Sequence, residues 1–91
     1  IPLGTANMKF FVYLILSKIK NNYISYVGYT NDLTNRIKMH NTSKGAKFTR
    51  GKKWKLVYYK SYTSKKTAMQ EEYKLKKNYY LRKKIKQNYI N

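Results

Sequence analysis

Asp32, Glu71 and Glu72 are the only side-chain carboxylates in this sequence and His40 is its only histidine, so any acid–base or metal chemistry must draw on this short list and on 11 tyrosines. There is no cysteine. Disulfides, thiolate zinc sites and a Cys–His nucleophile pair are therefore excluded, and the redox compartment is left open. One histidine without cysteine also excludes a His/Cys metal cage. No glycine-rich loop leads into a helix, so a nucleotide phosphate cradle is absent. Phosphoryl transfer passes through these exclusions because it asks little of side chains. It needs a cation or metal on the phosphate oxygens, a group that takes a proton from water, and a frame that holds both in line.

Arg36 and His40 are four residues apart, which places them on one face of a helix. Leu33 and Ile37 fix the buried side and put Arg36 at its border. A guanidinium suits bidentate phosphate contact and cannot be deprotonated. The ordinary reading of Arg36 is a solvated helix charge, and that of His40 a cap or surface residue near a helix end. Glu71 and Glu72 interrupt a basic stretch. Their ordinary reading is an ion pair one helical turn apart, such as Glu72 with Lys76, worth tenths of a kcal/mol. The sharper reading is metal ligation, since Mg²⁺ keeps most of its waters and takes one or two protein carboxylates. Spacing alone does not decide between them.

Tyr13, Tyr26 and Tyr29 fall on two adjacent strands, where packing is the common role of a tyrosine. Convergent phenols near an arginine could also handle a water or a phosphate oxygen. Lys44, Lys47, Arg50, Lys52 and Lys53, with Phe48 and Trp54 interleaved, fit a groove that tracks a nucleic-acid strand and offers stacking platforms. The bland alternative is a solvated basic loop.

These residues need a scaffold, and the hydrophobic pattern supplies one. Phe10 to Leu16 is a continuous apolar, β-rich run that predicts a buried strand. A polar turn over Lys18 to Asn22 and a second run, Tyr23 to Tyr29, complete a hairpin. Thr30-Asn31-Asp32 supplies cap chemistry for a helix of about ten residues. Asn41 to Lys53 is a basic loop, Trp54 to Tyr62 a third strand, and Ser64 the cap of a helix that carries Ala68, Met69 and Leu75. Lys76-Lys77-Asn78 breaks it before a last basic helix from Tyr79 to about Asn88. The order β-β-α-β-α-α implies an α+β fold, a small three-stranded antiparallel sheet flanked by helices. Ninety-one residues allow one domain. Met8 reads as the native start, which makes residues 1–7 a remnant of cloning and 8–91 the domain.

With 21 lysines and arginines the formal charge is +18, and such an excess implies a polyanionic partner: DNA, RNA or an anionic membrane surface. The longest apolar run is too short to span a bilayer and lacks the layout of a cleavable signal, so an intracellular protein is expected, in cytoplasm, nucleoid or nucleus. The terminal helix, with Tyr80, Leu81 and Ile85 as an apolar edge, leaves a membrane-surface role as a minor alternative.

In order along the chain, these residues resemble the GIY-YIG nuclease family. Phe11-Val12-Tyr13 and Tyr26-Val27-Gly28 look like its two naming motifs, and the segment Tyr26 to Asn41 is similar to its strand-to-helix stretch. Ala68-Met69-Gln70-Glu71-Glu72 resembles the helix bearing its metal-binding glutamate, with Glu72 in that place. Ala46-Lys47-Phe48-Thr49-Arg50-Gly51 is similar to the loop of the compact stand-alone bacterial and viral members. The likeness runs from about residue 9 to 77 and extends to the catalytic half of structure-selective junction nucleases and, more distantly, the first incision domain of UvrC. Phe11 departs from it by replacing the first glycine.

The resemblance implies a metal-dependent endonuclease that cuts DNA, with selectivity for particular DNA structures. Glu72 would bind one Mg²⁺ or Mn²⁺, and Arg36 would stabilise the charge of the pentavalent phosphorane. Tyr13 would act as general base or water-positioner, Tyr26 would help orient the nucleophile, and His40 is a second candidate base. Asn41 would help order the site. RNA meets the same requirements as a substrate. A protein partner or a homodimer would supply specificity. DNA repair, recombination, mobility of a genetic element and defence against foreign DNA all use this chemistry. The rival reading is a non-catalytic basic nucleic-acid-binding protein.

Overall fold

The computed structural model describes residues 8–91, and the expectation that residues 1–7 are a cloning remnant lies outside them. The apolar run at the start forms β1 (Phe10–Ile19), the central strand of an antiparallel sheet ordered β2-β1-β3. Val12 to Ser17 are all buried because helices and loops cover β1 on both faces. This is why the run reads as continuous rather than alternating. Pairing continues beyond the expected end at Leu16, since Lys18 and Ile19 still find partners in Tyr23 and Asn22. β2 (Asn22–Thr30) follows a turn in which Lys20 takes a positive φ of 55°.

After β2 comes α1 (Leu33–Asn41), then a short 3₁₀ turn at Lys47–Thr49 and β3 (Lys55–Tyr62). β3 pairs with the other edge of β1, and the register of that pairing shifts between Leu14 and Ile15 of β1. Two helices close the chain, α2 (Lys65–Lys77) and α3 (Tyr79–Ile90). The first two helix starts use the expected cap chemistry, and Asn78 supplies a cap to the third. Asp32, Ser64 and Asn78 accept hydrogen bonds from the backbone N–H of Asn35, Thr67 and Leu81 at 3.2, 3.3 and 3.0 Å. Asn78 ends one helix and caps the next, the break expected at Lys76-Lys77-Asn78. The α+β architecture is as expected.

The sheet separates two cores. On one face Val12, Leu14, Leu16 and Val27 meet Ala68 and Leu75 of α2, with Ile85 of α3 packed alongside. On the other, Tyr13, Ile15 and Trp54 meet Leu33 and Ile37 of α1, with Ile24, Tyr26 and Leu56 around them. Leu14 and Ile15 are fully buried, and each stabilises the fold by about 1.5–3 kcal/mol relative to exposure. Because strand side chains alternate, the register decides which tyrosines can meet. Tyr13 lies opposite Gly28 and Ile15 opposite Tyr26, so Tyr13 and Tyr26 share the α1 face. Tyr29 pairs with Val12 and packs on the α2 face. Tyr29 is thereby removed from the group of convergent phenols.

Ile85 packs on the sheet, so the apolar edge expected along α3 is divided, with Tyr80 out in solvent. Among the described residues no helix is long and apolar enough to cross a membrane.

Candidate active site

Gly28 makes room for the first contact. The Tyr13 ring lies across its Cα from the neighbouring strand, and any Cβ there would collide with the phenol. Tyr13 so placed reaches His40 at the end of α1, with the phenolic oxygen 2.8 Å from His40 Nε2. The other ring nitrogen, Nδ1, is 2.8 Å from Thr49 Oγ1. Thr49 donates its hydroxyl hydrogen to the Ala46 carbonyl at 2.7 Å. Tyr13, His40 and Thr49 are 1%, 0% and 0% exposed. His40 is thus neither a cap nor a surface residue. Both ring nitrogens of the buried imidazole are taken up by Tyr13 and Thr49.

The loop between α1 and β3 is held over this chain by two clamps. Asn41 donates to the Trp54 carbonyl at 3.1 Å and accepts from the Trp54 N–H at 2.6 Å, tying the loop's ends together. The Trp54 indole N–H donates to the Thr49 carbonyl at 2.9 Å. Trp54 is only 5% exposed, which corrects its reading as a stacking platform: its ring fills the core and its N–H holds the loop. Phe48 keeps that role, being 53% exposed and stacked on Tyr26 with ring centroids 6.2 Å apart and planes at 20°. Tyr26 meets the His40 ring edge-on, at 5.2 Å between centroids. Lys44, Lys47, Arg50 and Lys53 are exposed around Phe48, whereas Lys52 folds back over its ring and donates to its carbonyl at 3.1 Å.

Charge enters from two directions. Arg36, half-buried on α1, is close enough to act on both Tyr13 and His40. Burial raises the Tyr13 phenol above its ordinary value, and Arg36 opposes this by hydrogen bonding and by charge. The Tyr26 phenol and the Glu72 carboxylate add to the rise. Burial lowers His40 below its ordinary value, and the Arg36 charge lowers it further. The imidazole is therefore neutral at neutral pH.

The two glutamates separate here. Glu72 is the one whose charge is felt at Tyr13. Glu71 acts instead on Tyr62, whose phenol is raised by burial first and by Glu71 next. Glu71 pairs with Lys74 at 3.0 Å, whereas Glu72 meets Lys76 at a looser 3.5 Å, with its side chain 18% exposed. The ion pair expected as the ordinary reading of Glu72 is present, but too long to hold the carboxylate firmly. Among the described residues no three His, Cys, Asp or Glu side chains cluster to form a metal cage. A single accessible carboxylate fits an ion that retains its waters, as Mg²⁺ does.

The structure therefore brings Tyr13, Tyr26, Arg36 and His40 together on the α1 face, with the Glu72 charge within range from the α2 side. Thr49 is the member that residue reading missed. The only signal was its place inside the Ala46 to Gly51 loop, which drew notice for its charges.

Burial of a neutral histidine makes stability pH-dependent. His40 titrates lower in the folded chain than unfolded, so as pH falls the unfolded chain takes up the proton first. Its contribution is complete above about pH 6.5 and is lost as pH falls through the folded value, at up to about 1.4 kcal/mol per pH unit. The melting temperature should thus drop between pH 7.5 and pH 5. A flat profile over that window would show that the buried imidazole is not held neutral.

A phenol, a guanidinium and a buried imidazole thus share one sheet face of a small α+β domain, with a carboxylate on the helix behind. The model of the GIY-YIG catalytic domain matches residues 9–86, and the chain belongs to that family of nucleases. A UPF0213 protein of Bacillus velezensis is 43% identical over 81 residues, covering 88% of this chain and 76% of its own. A UPF0213 protein of Oceanobacillus iheyensis is 52% identical over 52 residues, 56% of this chain and 60% of its own. The UPF0213 protein YazA of Bacillus subtilis is 47% identical over 66 residues, 71% of this chain and 64% of its own. This chain thus spans less than two thirds of the Oceanobacillus protein and of YazA. The solution structure of a UPF0213 protein from Bacillus halodurans is 40% identical, with 85% of this chain and 80% of that one aligned at a TM-score of 0.46.

Proposed function

We propose that this protein is a metal-dependent endonuclease that hydrolyses phosphodiester bonds in DNA, with preference for bent, branched or single-stranded forms. The observation that carries this reading is the hydrogen bond between Tyr13 and the buried neutral His40, 2.8 Å long, beside Arg36. A phenol alone is a poor base at neutral pH. Backed by an imidazole, it can take a proton from water while passing its own to Nε2. The water O–H and the original Tyr13 O–H break, a new Tyr13 O–H and an imidazolium N–H form, and hydroxide remains to attack phosphorus. In this reading Tyr13 is the group that touches water and His40 is the proton store behind it.

Arg36, at the border of α1, supplies a charge that cannot be lost as negative charge builds on the phosphate oxygens. Tyr26 and Phe48 form one aromatic surface leading from the loop to the pocket, against which a base can stack. Lys44, Lys47, Arg50 and Lys53 hold the backbone by charge, with Lys52 supporting Phe48. Glu72 would hold a Mg²⁺ or Mn²⁺, which when bound supplies Lewis-acid stabilisation of the phosphate and leaving oxygens.

The test is cleavage of labelled linear, nicked, flap and four-way-junction DNA with Mg²⁺, Mn²⁺ or EDTA. Cutting with either metal and none in EDTA is the expected result. Tight, salt-dependent binding to every substrate without cutting of any would favour the non-catalytic binder.

A further inference from the structure

We propose that Thr49 is a positioning residue that sets the tautomer of His40 and thereby aims the Tyr13 proton inward. The starting point is a proton count. Thr49 Oγ1 lies 2.7 Å from the Ala46 carbonyl oxygen. Two oxygens that close repel unless a hydrogen lies between them, and the carbonyl has none, so the Thr49 hydroxyl hydrogen is there. A hydroxyl has only one hydrogen. Its contact with His40 Nδ1 at 2.8 Å must then be made by Nδ1–H donating to Oγ1. A neutral imidazole carries one N–H, so Nε2 is bare, and the 2.8 Å contact to Tyr13 is the phenol donating to it.

Arg36 supports the same polarity. Its charge acts on the phenol, and a guanidinium only donates, so it offers the phenol proton no acceptor and leaves His40 to receive it. The hydrogen bonds therefore run one way, from Tyr13 through His40 and Thr49 to the Ala46 carbonyl. That carbonyl also accepts the Thr49 N–H at 2.9 Å, the bond that closes the 3₁₀ turn at Lys47–Thr49. The turn that exposes Lys47 and Phe48 is thus the one that orders the proton chain, and an unfolded loop would leave His40 without this instruction. The free imidazole of histidine favours a proton on Nε2, so the fold inverts the intrinsic preference.

The assignment of the tautomer stands on these distances alone, whereas its effect on rate rests on the nuclease reading. Long-range ¹⁵N–¹H correlation of the His40 ring at neutral pH reads the tautomer directly in the intact protein. The expected result is a protonated Nδ1 and a bare Nε2 in the wild type and in Thr49→Ser. Thr49→Val keeps the shape but removes the acceptor, and should move the proton to Nε2 and lower kcat by about 10²–10⁴-fold. Thr49→Ser should cut within a few-fold of wild type. A wild-type spectrum with Nε2 protonated overturns the proposal, as does a Thr49→Val protein whose tautomer is unchanged. Should Thr49→Val not fold, the wild-type and Thr49→Ser spectra still decide the tautomer. The expected spectra without cleavage by the wild type would uphold the tautomer and count against the nuclease reading.

Discussion

Glu72→Ala is expected to lose DNA cleavage by about 10³-fold or more while binding DNA as tightly as the parent or more tightly. A metal on the scissile phosphate is worth several kcal/mol of transition-state stabilisation, and each 1.36 kcal/mol is a factor of ten in rate. Binding should hold or improve because the change removes one of only three acidic side chains from a chain of formal charge +18. Stability should hardly move, since the ion pair it breaks is long and its lysine half-exposed. The informative companion is Glu71→Ala. Glu71 makes the shorter ion pair, with Lys74, and faces Tyr62 rather than Tyr13. Its loss should leave cleavage near the parental rate. Measured side by side with Mg²⁺ and Mn²⁺, the two variants separate a metal ligand from a general loss of negative charge on α2. Full metal-dependent activity in Glu72→Ala would remove Glu72 from the site.

Tyr13→Phe is the second large effect expected, and it has two components. The ring still fills the space above Gly28, so the packing between β1 and β2 survives. The hydroxyl does not, and His40 Nε2 is left as a buried acceptor without a donor. That should lower stability by about 1–3 kcal/mol. The rate should fall by about 10²–10⁴-fold, the range covered by loss of a general base. Chemical denaturation and single-turnover cleavage on the same preparations distinguish the components, because a destabilised but folded protein would still cut at saturating DNA. Stability loss with a parental single-turnover rate would assign the Tyr13–His40 bond to structure alone and place the base elsewhere.

Much of the fold was legible because it is local. The caps at Asp32 and Ser64 are short-range hydrogen bonds within three residues, so residue type announces them. The continuous apolar stretch in β1 reflects burial on two sides, which periodicity registers directly. The burial of His40 was not legible because nothing within a helical turn reveals its partners. Tyr13 is 27 residues away on a strand, and Thr49 lies nine residues on, beyond a loop without regular pattern. Trp54 misled for a related reason: an indole amid lysines resembles a stacking platform until its N–H is found on the Thr49 carbonyl.

By itself the sequence determined the order of elements, the formal charge of +18, and the short list from which the site is drawn. These follow from composition, propensity and periodicity, each a property of neighbouring residues. Only the tertiary structure decided which members of that list meet. Strand register placed Tyr13 and Tyr26 on one face and sent Tyr29 to the other, and a residue without a Cβ opposite Tyr13 let the phenol reach inward. Which glutamate faces the phenol, and which nitrogen of His40 carries the proton, depend on packing between segments distant along the chain. A proton on a buried ring is placed by whichever donors and acceptors the fold brings against it.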